Sequence, residues 1–329
     1  MGLIFSMKVS STSVPVSVSP QPICRLWPTT NSGAPGIVPQ SYPFFLTRNW
    51  AAPYRADRIA QLLDRTPKQT PASTAAIQAD TVSLAARELL PLMLQTHPRD
   101  HDSAQALKLL RKWNGDMRRD RAAPLIFTAW LREFERELFK PRLGAQFDRY
   151  WKPRAVMIDR VLQGKAESWC RPDAAATDPG CAGLLAKSLR KSVAQLEKKL
   201  GGDVGAWRWG REHRAYFWSF VSQAPAIGSW FSTTMPVGGG NYTIDAGYMK
   251  FADRKHPYRA DTGPGLRMIL DFSDLAGSRF LIAPGMSGNP LSSHYSDLLG
   301  RWRKFHYLIL GREAAAHRLR LTPRGGRSG

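Results

Sequence analysis

The hydrophobic spacing of this chain changes period once, and that change restricts its fold more than any other feature. As far as Leu200 the apolar residues recur at helical spacing. Gly201-Gly202 then halts the pattern, and short segments rich in branched and aromatic residues follow, bounded by Gly or Pro. A first helix is expected from Pro53, with Tyr54, Ile59, Leu62 and Leu63 near one face. Further helices are expected over 73–94, where Pro91 should end or kink the run, and over 104–113, with Ser103 as cap and Asn114-Gly115 as stop. The same spacing predicts helices over 125–138, over 147–162 with a Pro interruption, and over 182–200. Strands are expected at 242–244, 266–272 and 279–283. A final helix follows His294, with Leu298, Leu299, Trp302 and Phe305 facing inward. Within 266–272 the alternation is only partial, as in a strand packed on both faces. Helices followed by strands define an α+β class with helices stacked on a sheet.

Eleven tryptophans call for a sizeable core, because such side chains are costly to leave in water. The ends differ from this middle. Residues 1–36 are rich in Ser, Pro, Thr and Gly and read as a loose leader, and 311–329 as a basic Gly/Arg tail. Against 26 Asp and Glu stand 47 Lys and Arg, a formal +21. A nucleic-acid partner is one reading of that excess. The other is arginine spread over solvated faces, which the absence of an aromatic-interleaved basic stripe favours. No segment has the run of apolar residues that a membrane span needs, so no membrane partner is expected. The first residues make a poor signal peptide, since Leu3-Ile4-Phe5 precedes the only early charge, Lys8, and no apolar stretch follows it.

Three cysteines are present, and Cys170 and Cys181 flank a loop containing Pro172, Pro179 and Gly180. A bridge there could stabilise the fold by roughly 3 kcal/mol through loop closure. Two quiet thiols are the alternative in a reducing compartment. Neither the cysteines nor the pair Asp271 and Asp274 has the spacing of a metal site. Ser287 sits in Gly-Met-Ser-Gly-Asn, where Asn289 stands in place of the second Gly that a nucleophile elbow needs. His213 and His294 read as structural histidines, and Gly238-Gly239-Gly240 as a turn entering a strand, since no Lys-Ser/Thr follows.

A series of short strings runs through the chain in order. It begins with Ile37-Val38-Pro39 and Tyr42-Pro43, then Asn49-Trp50-Ala51-Ala52-Pro53-Tyr54-Arg55-Ala56-Asp57-Arg58-Ile59. It continues with Lys112-Trp113-Asn114-Gly115-Asp116-Met117, Ala123-Pro124-Leu125-Ile126-Phe127, and Trp207-Arg208-Trp209-Gly210 with His213. It closes with Gly238-Gly239-Gly240-Asn241-Tyr242-Thr243, Gly285-Met286-Ser287-Gly288-Asn289-Pro290 and His294-Tyr295. Each string alone is weak; their order is not. Over 37–310 the chain resembles the C-terminal part of the penicillin acylases, a family of N-terminal-nucleophile amide hydrolases.

The resemblance implies the late helices and several strands of a four-layer αββα fold. It implies hydrolysis of linear amides, with β-lactam amides and N-acylated amino acids or lactones as substrates, and no cofactor. In that family an N-terminal Ser attacks the amide carbonyl with its own α-amino group as base, while an Asn side chain and a backbone N–H hold the oxyanion. The Ser opens the catalytic subunit upstream of the matched region. Ser6, Ser10, Ser11 and Ser13 lie in low-complexity surroundings unlike it. The oxyanion Asn is expected just before Ile37, where this chain reads Ala34-Pro35-Gly36 and the nearest amide is Asn31. Arg58 matches a family arginine that acts electrostatically near the active site; a surface ion pair with Asp57 or Asp64 is the plainer reading. Arg55 shares its helix face and could help hold a carboxylate. Cys170 and Cys181 fall where some relatives carry a cysteine pair.

The chain by itself is therefore expected to be inert, its partners being a nucleophile-bearing half of the acylase and, once complemented, a small amide. A basic nucleic-acid-binding or non-catalytic interaction module is the alternative. Location stays open between the periplasm, which the resemblance implies, and the cytoplasm.

Overall fold

A computed structural model describes residues 43–46, 51–98, 100–171, 180–219 and 231–311. Both expected end segments fall outside it, apart from Gly311. Contacts divide the chain into a first unit ending at Ala51, described only at 43–46 and Ala51, and a second beginning at Ala52.

The second unit opens with helices α1 (Tyr54–Arg65), α2 (Pro71–Gln78), α3 (Leu84–Met93), α4 (His101–Arg111) and α5 (Ala123–Leu143). After these come α6 (Phe147–Tyr150), α7 (Ala155–Leu162), α8 (Gly180–Leu200) and α9 (Trp209–Glu212). Strands β1 (Arg214–Phe217), β2 (Thr233–Pro236), β3 (Leu266–Ile269) and β4 (Arg279–Ile282) follow, then α10 (Leu299–Lys304) and β5 (Leu308–Ile309). Mixed helices and small antiparallel sheets make the fold α+β.

Helix α5 is buried along most of its length and packs on α8, where Trp130 Nε1 donates to the Leu185 carbonyl at 3.0 Å. Trp130, Phe134, Leu138, Leu185, Leu189 and Val193 belong to the main core. A helix buried on every side is a central element. The expected interruption between α6 and α7 is present, and Gly201, at φ +92°, follows α8 where the stop was expected.

Several boundaries differ from the sequence reading. The helix expected over 73–94 is two helices, because Thr81 Oγ1 bonds the Asp116 carboxylate at 2.6 Å and Val82 bridges Asp116 in extended backbone. Ser83 then caps α3 by accepting from Ala86 N. Pro91 lies inside α3, which ends two residues later at Met93. Asp100, not Ser103, caps α4; Ser103 N donates to its carboxylate and Ser103 itself is buried in the helix. Helix α5 runs past 138 to Leu143, carrying Pro141 in its last turn.

In the last third, β3 and β4 pair antiparallel with Met268 opposite Phe280, and β4 also pairs with β5. The hairpin of β1 and β2 was not expected from sequence. At 242–244 there is a turn instead of a strand: Thr243 Oγ1 accepts from Gly240 N and donates to the Asp245 carbonyl, diverting the backbone. Leu299 and Trp302 of α10 are buried, as is Leu298 before it, whereas Phe305 adopts the left-handed conformation and is half-buried. Trp302 joins Ala215, Val237, Ala260 and Leu281 in a second, small core.

Candidate functional site

Four of the strings quoted above, those containing Tyr54, Met117, Trp209 and Gly239, meet in space although far apart in the chain. Asn114-Gly115-Asp116-Met117 forms a turn whose Gly115 carbonyl accepts from Ser83 N at 2.9 Å, while Met117 N donates to Thr81 at 2.9 Å. The Met117 carbonyl in turn accepts from Gly239 N at 2.9 Å. Gly239 has φ +75°, and a Cβ there would stand 1.9 Å from the Asp245 carbonyl oxygen, so only Gly serves. Trp209 Nε1 donates to the Gly239 carbonyl at 2.9 Å, and the His213 ring stacks on Trp209 with centroids 4.3 Å apart. Tyr242 sets its ring edge-on to Tyr54 of α1, centroids 5.3 Å apart.

Arg58 lies at this convergence. Its Nε and Nη2 donate to the two carboxylate oxygens of Asp80 at 3.0 and 2.7 Å, and the arginine is 5 % exposed. This corrects the expected pairing with Asp57 or Asp64: the partner sits in the break between α2 and α3 and folds back on α1. The Asp80 backbone carbonyl accepts from Asp245 N, and the Asp245 carboxylate accepts from Arg267 Nη2 at 2.8 Å. Arg267 is buried under Trp302 and Phe305 and also donates to the Trp302 carbonyl at 2.8 Å. A polar relay Arg58–Asp80–Asp245–Arg267 thus ties α1 to the sheet. Burial pushes the Asp245 carboxyl up to about 6, against the opposing pull of Arg267. Arg55 donates to the Tyr248 hydroxyl, so the two arginines serve different partners instead of sharing one carboxylate.

Asp80, Asp245 and Arg267 were not singled out from sequence. The one signal available was Asp245, two residues beyond the Gly-Gly-Gly-Asn-Tyr-Thr string. The remaining candidates have structural roles. His213 is fully buried, donates through Nδ1–H to the Tyr258 carbonyl at 2.8 Å, and is pushed down to about 4 by burial. His294 pairs with Asp297 at 2.9 Å on the surface. The backbone N–H of Ser287 donates to the His294 carbonyl and its hydroxyl accepts from Asn289 N, which closes a loop and lines up no base. Asp274 caps a short 3-10 turn, and Asp271 accepts from Ser273. Gly238-Gly239-Gly240 is irregular backbone ending in an isolated bridge from Gly240 to Ala246, and turns and bends follow it, not the expected strand. Among the described residues no group of three or more His, Cys, Asp or Glu could hold a metal ion. No described helix is long and apolar enough to cross a membrane. Cys170 and Cys181, left open above, are joined in a disulfide with Cα atoms 4.9 Å apart. The expected oxyanion position before Ile37, and Asn31 with it, lies outside the described residues.

Several of the strings thus fold around a buried arginine–carboxylate relay. The chain belongs to the penicillin amidase family, whose model matches residues 12–317. The match reaches into the stretch read above as a leader. Acyl-homoserine lactone acylase QuiP of Pseudomonas syringae pv. syringae B728a is 27% identical over 294 residues, 82% of this chain and 35% of that protein. The protein of the same name from Pseudomonas putida KT2440 is 29% identical over 325 residues, 87% of this chain and 38% of that protein. Penicillin acylase 2 proenzyme of Pseudomonas sp. SE83 is 28% identical over 278 residues, 81% of this chain and 34% of that protein. The chain spans little more than a third of the length of these relatives.

Proposed function

We propose that this chain is the C-terminal scaffold of an amide hydrolase of the N-terminal-nucleophile type, acting on the C–N bond between an acyl group and an amine. N-acyl lactones and β-lactam amides are the substrate classes that the relatives' names suggest. In this reading the nucleophilic Ser and the oxyanion Asn are supplied by a polypeptide segment other than these 329 residues, which by themselves turn nothing over. Family membership over 12–317 carries this reading. It is supported by the roles of the described histidines and of Ser287: His213 is buried against a backbone carbonyl, and Ser287 is tied into its own loop. Arg58 and Asp80, bound through both carboxylate oxygens, form a neutral buried pair that fixes the scaffold and supplies no mobile acid or base.

The test is release of amine from an N-acyl-homoserine lactone and from a chromogenic acyl anilide. The purified chain alone should match the buffer blank. Co-produced with a nucleophile-bearing acylase segment, it should give turnover that is lost when that segment's Ser is replaced by Ala. Turnover by the isolated chain sinks the reading.

A further inference from the structure

The inner face of the β3, β4 and β5 sheet is largely buried and carries Arg267 and Arg279 beside its apolar residues. Among the described residues the outer face is apolar and only half-covered, with Phe280, Ile282 and Leu308 half-buried and Leu266 and Met268 exposed. On the inner face Leu281 is fully buried, Ile269 is 6 % exposed, and Arg267 is 5 % exposed in its pairing with Asp245. Residues directly opposite on antiparallel strands share a face. The register sets Leu266 against Ile282, Met268 against Phe280, and Phe280 against Leu308, so all five form the outer face, which carries no charge. Leu266 is 52 % exposed and Met268 44 %, and Leu270 just past the strand is 51 % exposed. A sheet built to face water alternates apolar-in with polar-out, and one covered on both sides does not. Long, exposed apolar strands at a sheet edge invite association.

The geometry points to this outer face as the docking surface for the nucleophile-bearing part of the acylase, the share of the relatives' length that these residues do not cover. This rests on the functional reading above and names the contact through which the two parts meet. The curated relatives are nearly three times as long as the matched stretch, which supplies an occupant of ample size. A second copy is disfavoured, because a formal charge of +21 on each chain would be brought together.

The experiment uses the full chain and a tagged polypeptide comprising the part of the P. syringae acylase outside its aligned 294 residues. The wild-type chain should be retained by the tagged part, and Met268→Glu/Leu270→Glu should lower that affinity at least tenfold with an unchanged circular dichroism spectrum. As a check that needs no disruptive charge, Met268→Cys in a Cys24→Ser background should react with a thiol label at least tenfold more slowly in the complex. Failure of the wild-type chain to associate overturns the docking surface, as do unchanged labelling in a formed complex and full retention of the double variant. A wild-type dimer in dilute buffer, where the charge is unscreened, that the double variant abolishes overturns it too, since the occupant is then a second copy. Association without amide hydrolysis leaves the docking surface standing and overturns the functional reading.

Discussion

Arg58 and Asp80 are both nearly out of water, and a guanidinium gripping a carboxylate through two parallel bonds is the arrangement that best offsets the desolvation of both. Removing one partner strands the other. Arg58→Ala should therefore cost about 3 kcal/mol, and Arg58→Lys most of that, since a single ammonium cannot make the fork. Chemical denaturation of each variant measures this; a loss below about 1 kcal/mol would mean that water replaces the arginine freely. Glu135 poses the opposite problem. It is fully buried, accepts from Arg154 N at 2.8 Å, and is pushed up to about 8 by burial. Its folded value thus lies above the 4.5 of the unfolded chain, so between those two pH values the native state holds a proton that the unfolded state has released. Stability from this group is complete below 4.5 and is lost as pH rises through 8. Glu135→Gln, which mimics the protonated form, should gain on the wild type by about a factor of ten in folding equilibrium per pH unit across that window. Urea midpoints at several pH values read it out; a difference constant with pH would refute it. His213 works in the other direction: its stability is present above 6.5 and lost as pH falls towards 4.

Elements were legible where their own residues decide them. Helix α8 carries a continuous apolar stripe and ends just before Gly201, and α6 and α7 part around Pro153 because a proline cannot donate. Distant partners decided the rest. Nothing local shows that Thr81 will find Asp116, so the break between α2 and α3 was invisible, as was the Arg58 partner that occupies it. The 242–244 segment has strand-forming residues, yet Thr243 turns it back to form the wall that Gly239 leans against. The turn should therefore be sensitive out of proportion to its size. Gly239→Ala meets both the positive φ and the Asp245 carbonyl, and should destabilise by about 3 kcal/mol or more. Ala at Gly288, where a Cβ meets nothing within 4 Å, should be nearly neutral. Thermal melts of the two variants compare them directly. The disulfide is a second element-scale device. Joining residues eleven apart, it should contribute about 2–3 kcal/mol, seen as a drop in Tm on adding a reductant, and an unchanged Tm would show that packing of Cys170 alone holds the segment.

At the scale of the whole molecule two forces oppose each other. The formal charge of +21 drives copies apart, while the half-exposed apolar face of the β3–β4–β5 sheet draws surfaces together. They respond oppositely to salt. Screening shortens the reach of the charge from about 30 Å at 0.01 M to about 3 Å at 1 M, whereas apolar burial is not weakened by it. If the positive charge is solvated surface, the purified chain should be monodisperse in dilute buffer and should associate as sodium chloride rises, by light scattering. Met268→Glu/Leu270→Glu should suppress that rise. If the charge instead exists to bind nucleic acid, the dependence inverts: added DNA would assemble with the chain at low salt and be released steeply as salt increases. One titration, run with and without a short duplex, therefore separates a scaffold missing its neighbour from a basic binding module.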